Sequence, residues 1–551
     1  MKHIFYFILL MTMLSCTPNG KQKADLIVTH ARVYTCDSAF SITESFAVSK
    51  GCIVATGTTA NILMAYTSDN ILDAGGLPIY PGFIDAHAHF TGYGLKMLTV
   101  ADLSGAESYE AMLGLLSIHD ENYKQPWVQG RGWDQNKWPG KQFPDNKTLD
   151  TLFPEKPVYL TRVDGHAALV NSKALQLAGI TAQTKVNGGD ILLKDGRPTG
   201  VLIDNAMELV RRIIPPPAED IRAKALLAAE EKCFGVGLTT VCDAGLPYSD
   251  LMFIDSLQKQ NKLRIRLYVM LEPEEKNTAN IIEKGIYRTA RLHACAIKLY
   301  ADGALGSRGA CLLKPYSDAP EHYGLMVTSA DSLARCCALA YEKGFQVCTH
   351  AIGDAANRTM LKVYASFLKG PNDRRWRIEH AQVVDAADLE TFAKFNIIPS
   401  VQTTHATSDM YWAEERLGTD RIKQAYAYKA LLEQNGWLCN GTDFPIEDIN
   451  PIISFYAAVV RKDLSGFPAG GFLSGNKLSR QQALLAMTLW AARACFEEDA
   501  KGSIEPGKFA DFVVLSKDIM QVPEDSLPAT QVKATYLSGM KVFGKYKLRK
   551  L

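Results

Sequence analysis

Eleven consecutive residues carry the most information about the architecture of this chain: Ile79-Tyr80-Pro81-Gly82-Phe83-Ile84-Asp85-Ala86-His87-Ala88-His89. The apolar run predicts a buried β-strand over Ile79–Ala86, because short runs of this kind are typical of strands in parallel sheets. Two histidines follow that strand. Residues i and i+2 of an extended chain point to the same side, so the imidazoles of His87 and His89 can face a common ligand.

Seven further apolar segments follow, and helical patterns separate them. Alternation of short strands with helices predicts a parallel sheet, and eight strand–helix units predict an α/β fold, the (β/α)8 TIM barrel. The barrel is expected over residues 79–499. With strand one at Ile79–Ala86, strands two to eight are predicted at Leu238–Cys242, Arg264–Met270, Ala294–Tyr300, Phe345–Thr349, Arg377–Glu379, Ile397–Gln402 and Trp437–Asn440.

Two parts of the chain lie outside these eight units. Strands one and two are separated by about 150 residues, far more than the usual short connection, so residues 91–218 are predicted to form a large insertion at the top of the barrel. Short β-type runs between turn signals occupy residues 25–78 and return over residues 500–551. We expect these two terminal segments to pair in one small β-sandwich.

The start of the chain has the pattern of an export signal. Ile4–Leu14 is an apolar run; it is shorter than the roughly 20 residues that span a bilayer, but it suits the core of a signal peptide. Met13-Leu14-Ser15-Cys16 resembles a bacterial lipobox. We expect a lipoprotein signal peptide over 1–15, a polar tether over 16–24, and an exported protein of a bacterial cell envelope that meets the membrane only through its lipid anchor. The alternative is an ordinary secretory signal with an incidental Cys16.

The charge balance excludes several classes of protein. The 551 residues include 60 Lys+Arg and 59 Asp+Glu, a net charge of +1. Proteins that bind nucleic acid usually have a basic excess or a basic stripe, so no nucleic-acid partner is expected. A content of 47% hydrophobic and 22% charged residues is typical of a folded globular protein and excludes a disordered one.

Polar residues lie at the carboxyl ends of several strands that are otherwise apolar. Lys298 lies in strand four, His350 follows strand five, His380 follows strand six and Asp443 follows strand eight. Each residue alone has a structural interpretation, such as a snorkelling lysine or a helix-capping aspartate. Active sites of (β/α)8 barrels lie at this end of the sheet. Together with the two histidines after strand one, these residues therefore predict a metal site.

In this order along the strands, the residues resemble the binuclear branch of the metal-dependent amidohydrolase superfamily. Several stretches are similar to amidohydrolase family 3, the branch of N-substituted formamide deformylases and YtcJ-like proteins. The resemblance covers about residues 25–545 and implies the barrel with a split sandwich. It is carried by Pro81–His89, Lys298–Ala310, His350–Asp354, Arg377–Gln382, Gly441–Pro445 and Gly507–Leu515.

The resemblance implies a site for two divalent metal ions. Zinc is the expected metal, because imidazole nitrogen and carboxylate oxygen are ligands that suit it. In the implied site, the first ion is bound by His87, His89 and Asp443, and the second by His350 and His380.

The resemblance also implies that Lys298 bridges the two ions as a carbamate, formed by reaction with CO2. An ammonium group cannot bind a cation, whereas a carbamate supplies two oxygens and a negative charge. If Lys298 is not carboxylated, the site is expected to hold a single ion.

The implied activity is metal-dependent hydrolysis of a non-peptide carbon–nitrogen bond, in a small amide-type molecule, by metal-activated hydroxide. Asp443 is the implied catalytic residue, which takes up a proton and delivers it to the leaving nitrogen. Two alternatives stay open. One is the same metal chemistry on ester or lactone bonds, and the other is a lipoprotein that binds a ligand without catalysis.

Four further residues are candidates for substrate binding. Trp133 and His166 lie in the insertion, Arg308 lies in the loop after strand four, and His405 lies just past strand seven. The two residues of the insertion either contact substrate or serve loop packing, and Trp133 in particular either lines an apolar wall or fills a core. Arg308 either holds a carboxylate or carbonyl of the substrate or pairs with an acidic neighbour.

Overall fold

The structure is a computed structural model, which describes residues 20–163, 165–186 and 189–544, without the side chains of residues 275 and 276. The expected signal peptide over 1–15 and Cys16 lie outside the described residues. The last part of the expected tether belongs to the fold, because Gln22–Lys23 forms a short strand that pairs in parallel with Tyr66–Thr67. Among the helices that the structure describes, none is both long and apolar enough to cross a membrane.

Eight parallel strands follow one another in one sheet in the order of the chain, as the sequence predicts, and the short strand Tyr287–Arg288 pairs antiparallel with the fourth of them. The last strand meets the first through backbone hydrogen bonds just beyond it: Asp443 N donates to His87 O at 2.8 Å, and His89 N donates to Phe444 O at 2.9 Å. The sheet is thus a nearly closed barrel, and the predicted fold class is confirmed. Barrel strands one to eight are Phe83–Ala88, Leu238–Leu246, Arg266–Leu271, Leu292–Tyr300, Gln346–Ala351, Arg377–His380, Ile398–Val401 and Cys439–Asn440.

The predicted strand one is two strands in the structure. Pro78–Pro81 belongs to the sandwich, where it pairs with Phe512–Leu515, and Phe83–Ala88 belongs to the barrel. Gly82 joins them: its N–H donates to Asp511 O at 2.8 Å, and a Cβ there would lie 2.4 Å from Thr239 Oγ1. A continuous apolar run does not reveal such a change of sheet, because both halves are buried.

Helices cover the outside of the barrel, and the main hydrophobic core lies between them and the sheet. Ala330–Lys343 shows why they form where they do. Ser329 Oγ accepts a hydrogen bond from Ser332 N at its start, and Gly344, with φ 77°, ends it. The remaining helices of the barrel region are Phe90–Thr99, Glu219–Gly235, Tyr248–Lys259, Glu275–Lys284, Asp354–Leu368, Leu389–Lys394, Thr403–Asp409, Ala413–Arg421, Tyr428–Asn435, Pro451–Val460, Arg480–Ala486 and Leu489–Ala494.

Both terminal segments build the β-sandwich. In its core, the rings of Phe512 and Tyr536 stack at 4.3 Å, and Phe46 from the N-terminal segment meets Phe512 edge-on at 5.1 Å. The helix Thr59–Ala65 packs beside it. The four-stranded sheet has the order Cys52–Gly57, Ser45–Ser49, Leu26–Thr29, Ile71–Asp73, and the six-stranded sheet has the order Met540–Phe543, Val532–Leu537, Phe512–Leu515, Pro78–Pro81, Arg32–Tyr34, Ile42–Thr43.

The insertion is a folded unit with a mixed sheet and two hydrophobic clusters of its own. The helix Phe90–Thr99 leads into it and packs closely on Glu219–Gly235, where a Cβ at Gly94 would lie 2.3 Å from Ala225 O. The sheet has the order Val100–Asp102, Val128–Trp133, Val158–Arg162, Ala167–Val170, Arg197–Asp204, Gly189–Lys194. Its helices are Tyr109–Tyr123, Lys147–Leu152, Ser172–Leu177 and Glu208–Arg211.

Candidate metal centre

The barrel brings the predicted ligands together at the carboxyl ends of its strands. His87 is the next-to-last residue of strand one, and its Nε2 lies 3.1 Å from Lys298 Nζ of strand four and 3.7 Å from Asp443 Oδ1. The ring centroid of His380, at the end of strand six, lies 5.1 Å from that of His87 and 4.5 Å from that of His350. Side chains from five strands thus converge although they are far apart in sequence.

One group of potential ligands agrees with the expected first metal. His87, His89 and Asp443 each offer one atom, and these atoms all lie within 4.8 Å of one another. His89 Nε2 lies 3.3 Å from Asp443 Oδ1. The i, i+2 spacing of the histidines places both rings beside the same carboxylate.

The second group differs from the expectation. His380, His405 and Asp443 offer atoms within 4.8 Å of one another, so His405 lies among the potential ligands rather than only beside a substrate space. Its helix, Thr403–Asp409, starts directly after strand seven, and its ring stacks on that of His380 at 5.7 Å. His350 is adjacent to this group, because its ring centroid lies 4.5 Å from that of His380. Its Nε2 lies 3.7 Å from Asp302 Oδ1.

The unpaired atoms of the site fit a metal. Buried polar atoms are almost always hydrogen-bonded in proteins. Four buried atoms at this site nevertheless have no hydrogen-bond partner among the described residues: His350 Nε2, His380 Nδ1, His405 Nε2 and Asp443 Oδ1. Imidazole nitrogen and carboxylate oxygen are ligands that suit zinc and similar divalent ions, so these residues fit such an ion.

Burial keeps three histidines of the site, His87, His350 and His380, neutral. It lowers the pKa of His87 to about 4 and that of His350 to about 3, and it holds the pKa of His380 well below its usual range. Burial also lowers the pKa of Lys298, against the opposing effect of Glu379. Neutral imidazoles have the free lone pair that metal binding requires.

A buried ion pair contacts His87 at Nδ1, the ring nitrogen that faces away from Lys298. The sequence alone predicts no role for this ion pair. Glu379 Oε2 lies 2.6 Å from His87 Nδ1, and Arg377 donates from Nε to Glu379 Oε1 at 2.7 Å and from Nη2 to Oε2 at 2.9 Å. Burial acts to raise the pKa of Glu379, but the Arg377 charge outweighs it and lowers the pKa below its usual range. The sequence feature that could have indicated this role is the pair Arg377 and Glu379. These are two opposite charges at i and i+2 of an apolar strand, so both side chains point to the same side.

Two more buried carboxylates shape the loops around the centre. Asp85 accepts from the backbone N–H of His87 at 3.1 Å and of Thr442 at 3.0 Å, which ties strand one to the end of strand eight. Asp302 accepts from the N–H groups of Ile352 and Gly353 at 2.9 and 2.8 Å, beside strand five. Burial raises the pKa of each to about 7. These carboxylates position the chain that carries the ligands.

The backbone at two potential ligands is in the left-handed region. Asp443 has φ 60° and His380 has φ 73°, a conformation that costs a non-glycine residue about 1–3 kcal/mol. At Asp443 the backbone bond from its N–H to His87 O holds this conformation. The strain lies where the strands turn their side chains into the centre.

The other substrate-binding candidates have local partners. Trp133 is fully buried in the core of the insertion, where its Nε1 donates to Leu160 O at 2.8 Å. The expected apolar binding wall is therefore wrong for Trp133, and the alternative of a core residue is correct. His166 is exposed, with its Nδ1 2.8 Å from Asp204 Oδ1. Arg308 forms an ion pair with Asp318 at 2.8 Å. This is the alternative given above, in which Arg308 pairs with an acidic neighbour.

Known proteins resemble the chain over almost its whole length. It is 33% identical to the putative amidohydrolase YtcJ of Bacillus subtilis (strain 168), over 93% of this chain and 98% of that one. It is 25% identical to the N-substituted formamide deformylase of Arthrobacter pascens, over 94% and 98% of the two chains.

A solved structure agrees with the fold. An uncharacterized metal-dependent hydrolase from Pyrococcus furiosus has a TM-score of 0.77 and 27% identity, over 90% of this chain and all of that one. The sequence model of the amidohydrolase family matches residues 70–543. The chain that builds this candidate metal centre is therefore a member of the amidohydrolase family.

Proposed function

We propose that this protein is a metal-dependent hydrolase that cleaves an amide-type, non-peptide carbon–nitrogen bond in a small molecule. One observation carries the proposal: two groups of potential ligands share Asp443 at the carboxyl end of the barrel. The family supports it, and so do the names of two relatives, an N-substituted formamide deformylase and a putative amidohydrolase. A divalent ion held by these side chains would lower the pKa of water from 15.7 towards about 7 and polarise a substrate carbonyl.

Asp443 is the residue proposed to move the proton. Its Oδ1 lies 3.3 Å from His89 Nε2, and its Oδ2 lies 3.6 Å from His405 Nε2. Burial acts to raise its pKa, but the adjacent imidazoles of His89, His87 and His405 outweigh burial and lower the pKa below the usual range. The carboxylate is therefore ionised and can accept a proton from water. Delivery of this proton to the leaving nitrogen avoids the expulsion of an amide anion, which is a very poor leaving group.

Lys298 is proposed to carry a carbamate, and the centre is proposed to hold two ions, with zinc as the metal. In this modification the neutral Nζ attacks the carbon of CO2, an N–C bond forms, and one proton leaves to solvent. The product bears one negative charge and two oxygens. The support is the position of Nζ, buried and 3.1 Å from His87 Nε2, where an ammonium would repel a cation and a carbamate would bind one.

The proposal is tested on purified protein by metal analysis and by hydrolysis assays on N-formyl, N-acyl and cyclic amides beside matched esters and lactones. We expect two ions per chain and turnover of an amide. Asp443→Asn keeps the shape of the side chain and removes its charge, and a loss of activity of at least about 100-fold is expected. A protein without metal and without activity would refute the proposal. Turnover of esters or lactones alone would refute the carbon–nitrogen assignment.

A further inference from the structure

Arg461 is a buried arginine outside the metal centre. It follows the helix Pro451–Val460 with φ 63°, and its side chain is fully buried. Its Nε donates to Phe472 O at 2.9 Å. The guanidinium carbon lies 5.1 Å from the ring centroid of Tyr428 and 6.0 Å from that of Phe472. The charged group is thus enclosed by aromatic rings and one backbone carbonyl.

The two outer nitrogens of this guanidinium have no partner. Nη1 and Nη2 of Arg461 are buried and form no hydrogen bond within the part of the chain that the structure describes. Two other buried arginines differ in this respect, because Arg377 pairs with Glu379 and Arg266 pairs with Asp511, each at 2.7 Å. Among the described residues, no carboxylate forms an ion pair with Arg461, and its side-chain neighbours are the rings of Tyr428 and Phe472.

An uncompensated buried guanidinium requires a negative partner. Arginine stays protonated in proteins, and burial of an unpaired charge is costly. The carbonyl end of the preceding helix supplies only about half a negative charge, and Phe472 O is already bound to Nε. Water can occupy the free N–H directions, but it leaves the positive charge unbalanced.

We propose that Arg461 is the core of a buried site for a small monovalent anion of the chloride type, bound by Nη1 and Nη2. Full burial excludes a bulky ligand, and the flanking rings of Tyr428 and Phe472 favour an anion of weak hydration that lies in the plane of the guanidinium. The hydroxyl of Tyr428 donates to Gln402 O at 2.9 Å, so the anion would stabilise the contact between this helix end and the end of barrel strand seven.

The proposal is tested by thermal unfolding of the whole protein in sodium chloride and in sodium gluconate at equal ionic strength. Chloride is expected to raise Tm saturably by about 1–2 °C, because it binds only the folded state. Arg461→Gln is expected to abolish this rise. Arg222→Gln is the matched control, since Arg222 also stacks on a ring, that of Phe253 at 4.3 Å, but already pairs with Asp250. This control is expected to keep the rise.

A second measurement does not depend on the folding of any variant. Wild-type crystals grown in bromide are expected to show an anomalous peak within hydrogen-bond distance of Arg461 Nη1 and Nη2. Water density without an anomalous signal, together with equal Tm values in chloride and gluconate, would overturn the proposal. A chloride response that persists in Arg461→Gln would also overturn it.

Discussion

Glu379 accepts a hydrogen bond from Nδ1 of His87 at 2.6 Å, and both side chains are buried. With its proton on Nδ1, the imidazole presents the lone pair of Nε2 on the side of Lys298 and Asp443. Arg377 in turn binds both oxygens of Glu379. The carboxylate thus fixes the tautomer and the orientation of a potential metal ligand, as such partners do in metalloproteins.

Replacement of this carboxylate should weaken metal binding. Glu379→Gln keeps the size of the side chain but removes its charge, and we expect metal affinity to fall by about 10- to 100-fold. Competition with a chromophoric chelator measures the metal affinity. The control is Glu230→Gln, because Glu230 is also buried but accepts from the backbone N–H groups of Arg264 and Ile265. Equal affinity in Glu379→Gln and wild type would show that Glu379 does not tune the ligand.

The number of bound ions should depend on Lys298. Lys298→Met keeps an unbranched buried side chain and removes the amine, so we expect the metal content to fall from two ions to one per chain. Inductively coupled plasma mass spectrometry measures the metal content. Lys501→Met is the matched control, since Lys501 is buried as well but pairs with Glu497 at 2.5 Å. A Lys298→Met protein that still binds two ions would contradict the bridging role.

His405 offers a test between the sequence-based role and the role that the geometry suggests. Because its Nε2 is buried beside Asp443 and His380, we expect His405→Ala to lower metal affinity by at least about 10-fold. A residue that only contacts substrate would raise KM and leave metal affinity unchanged. Metal titration and steady-state kinetics on the same preparation separate the two roles. A raised KM with unchanged metal affinity would show that His405 binds substrate and not the metal.

Two glycines in helices should respond to alanine with opposite signs. At Gly94 the new Cβ would lie 2.3 Å from Ala225 O, so the helices must separate and we expect a loss of about 1–3 kcal/mol in unfolding free energy. At Gly114, inside Tyr109–Tyr123, nothing lies within 4 Å of the Cβ, so a gain of about 0.5–1 kcal/mol is expected from helix propensity. Denaturant unfolding measures both. A neutral Gly94→Ala would show that the helix contact is loose.

Local patterns were sufficient for much of the fold. The alternation of apolar strands and helices predicted all eight barrel strands, and the i, i+2 spacing of His87 and His89 predicted a shared direction for their rings. These features depend on the periodic spacing of apolar and polar side chains along a strand or helix, and this spacing can be read directly from the sequence. The split of residues 78–88 at Gly82 was not visible, because both strands are buried and only their partner sheets differ.

The amino-acid sequence by itself therefore determined the fold class, the end of the barrel that carries the polar residues, and most of the potential ligands. Only the tertiary structure decided how they group. It placed His405 beside His380 and Asp443, enclosed Trp133 in the core of the insertion, and paired Glu379 with His87. The physical reason is that distances between strands far apart in sequence depend on barrel closure and on the packing of loops, which no local pattern encodes.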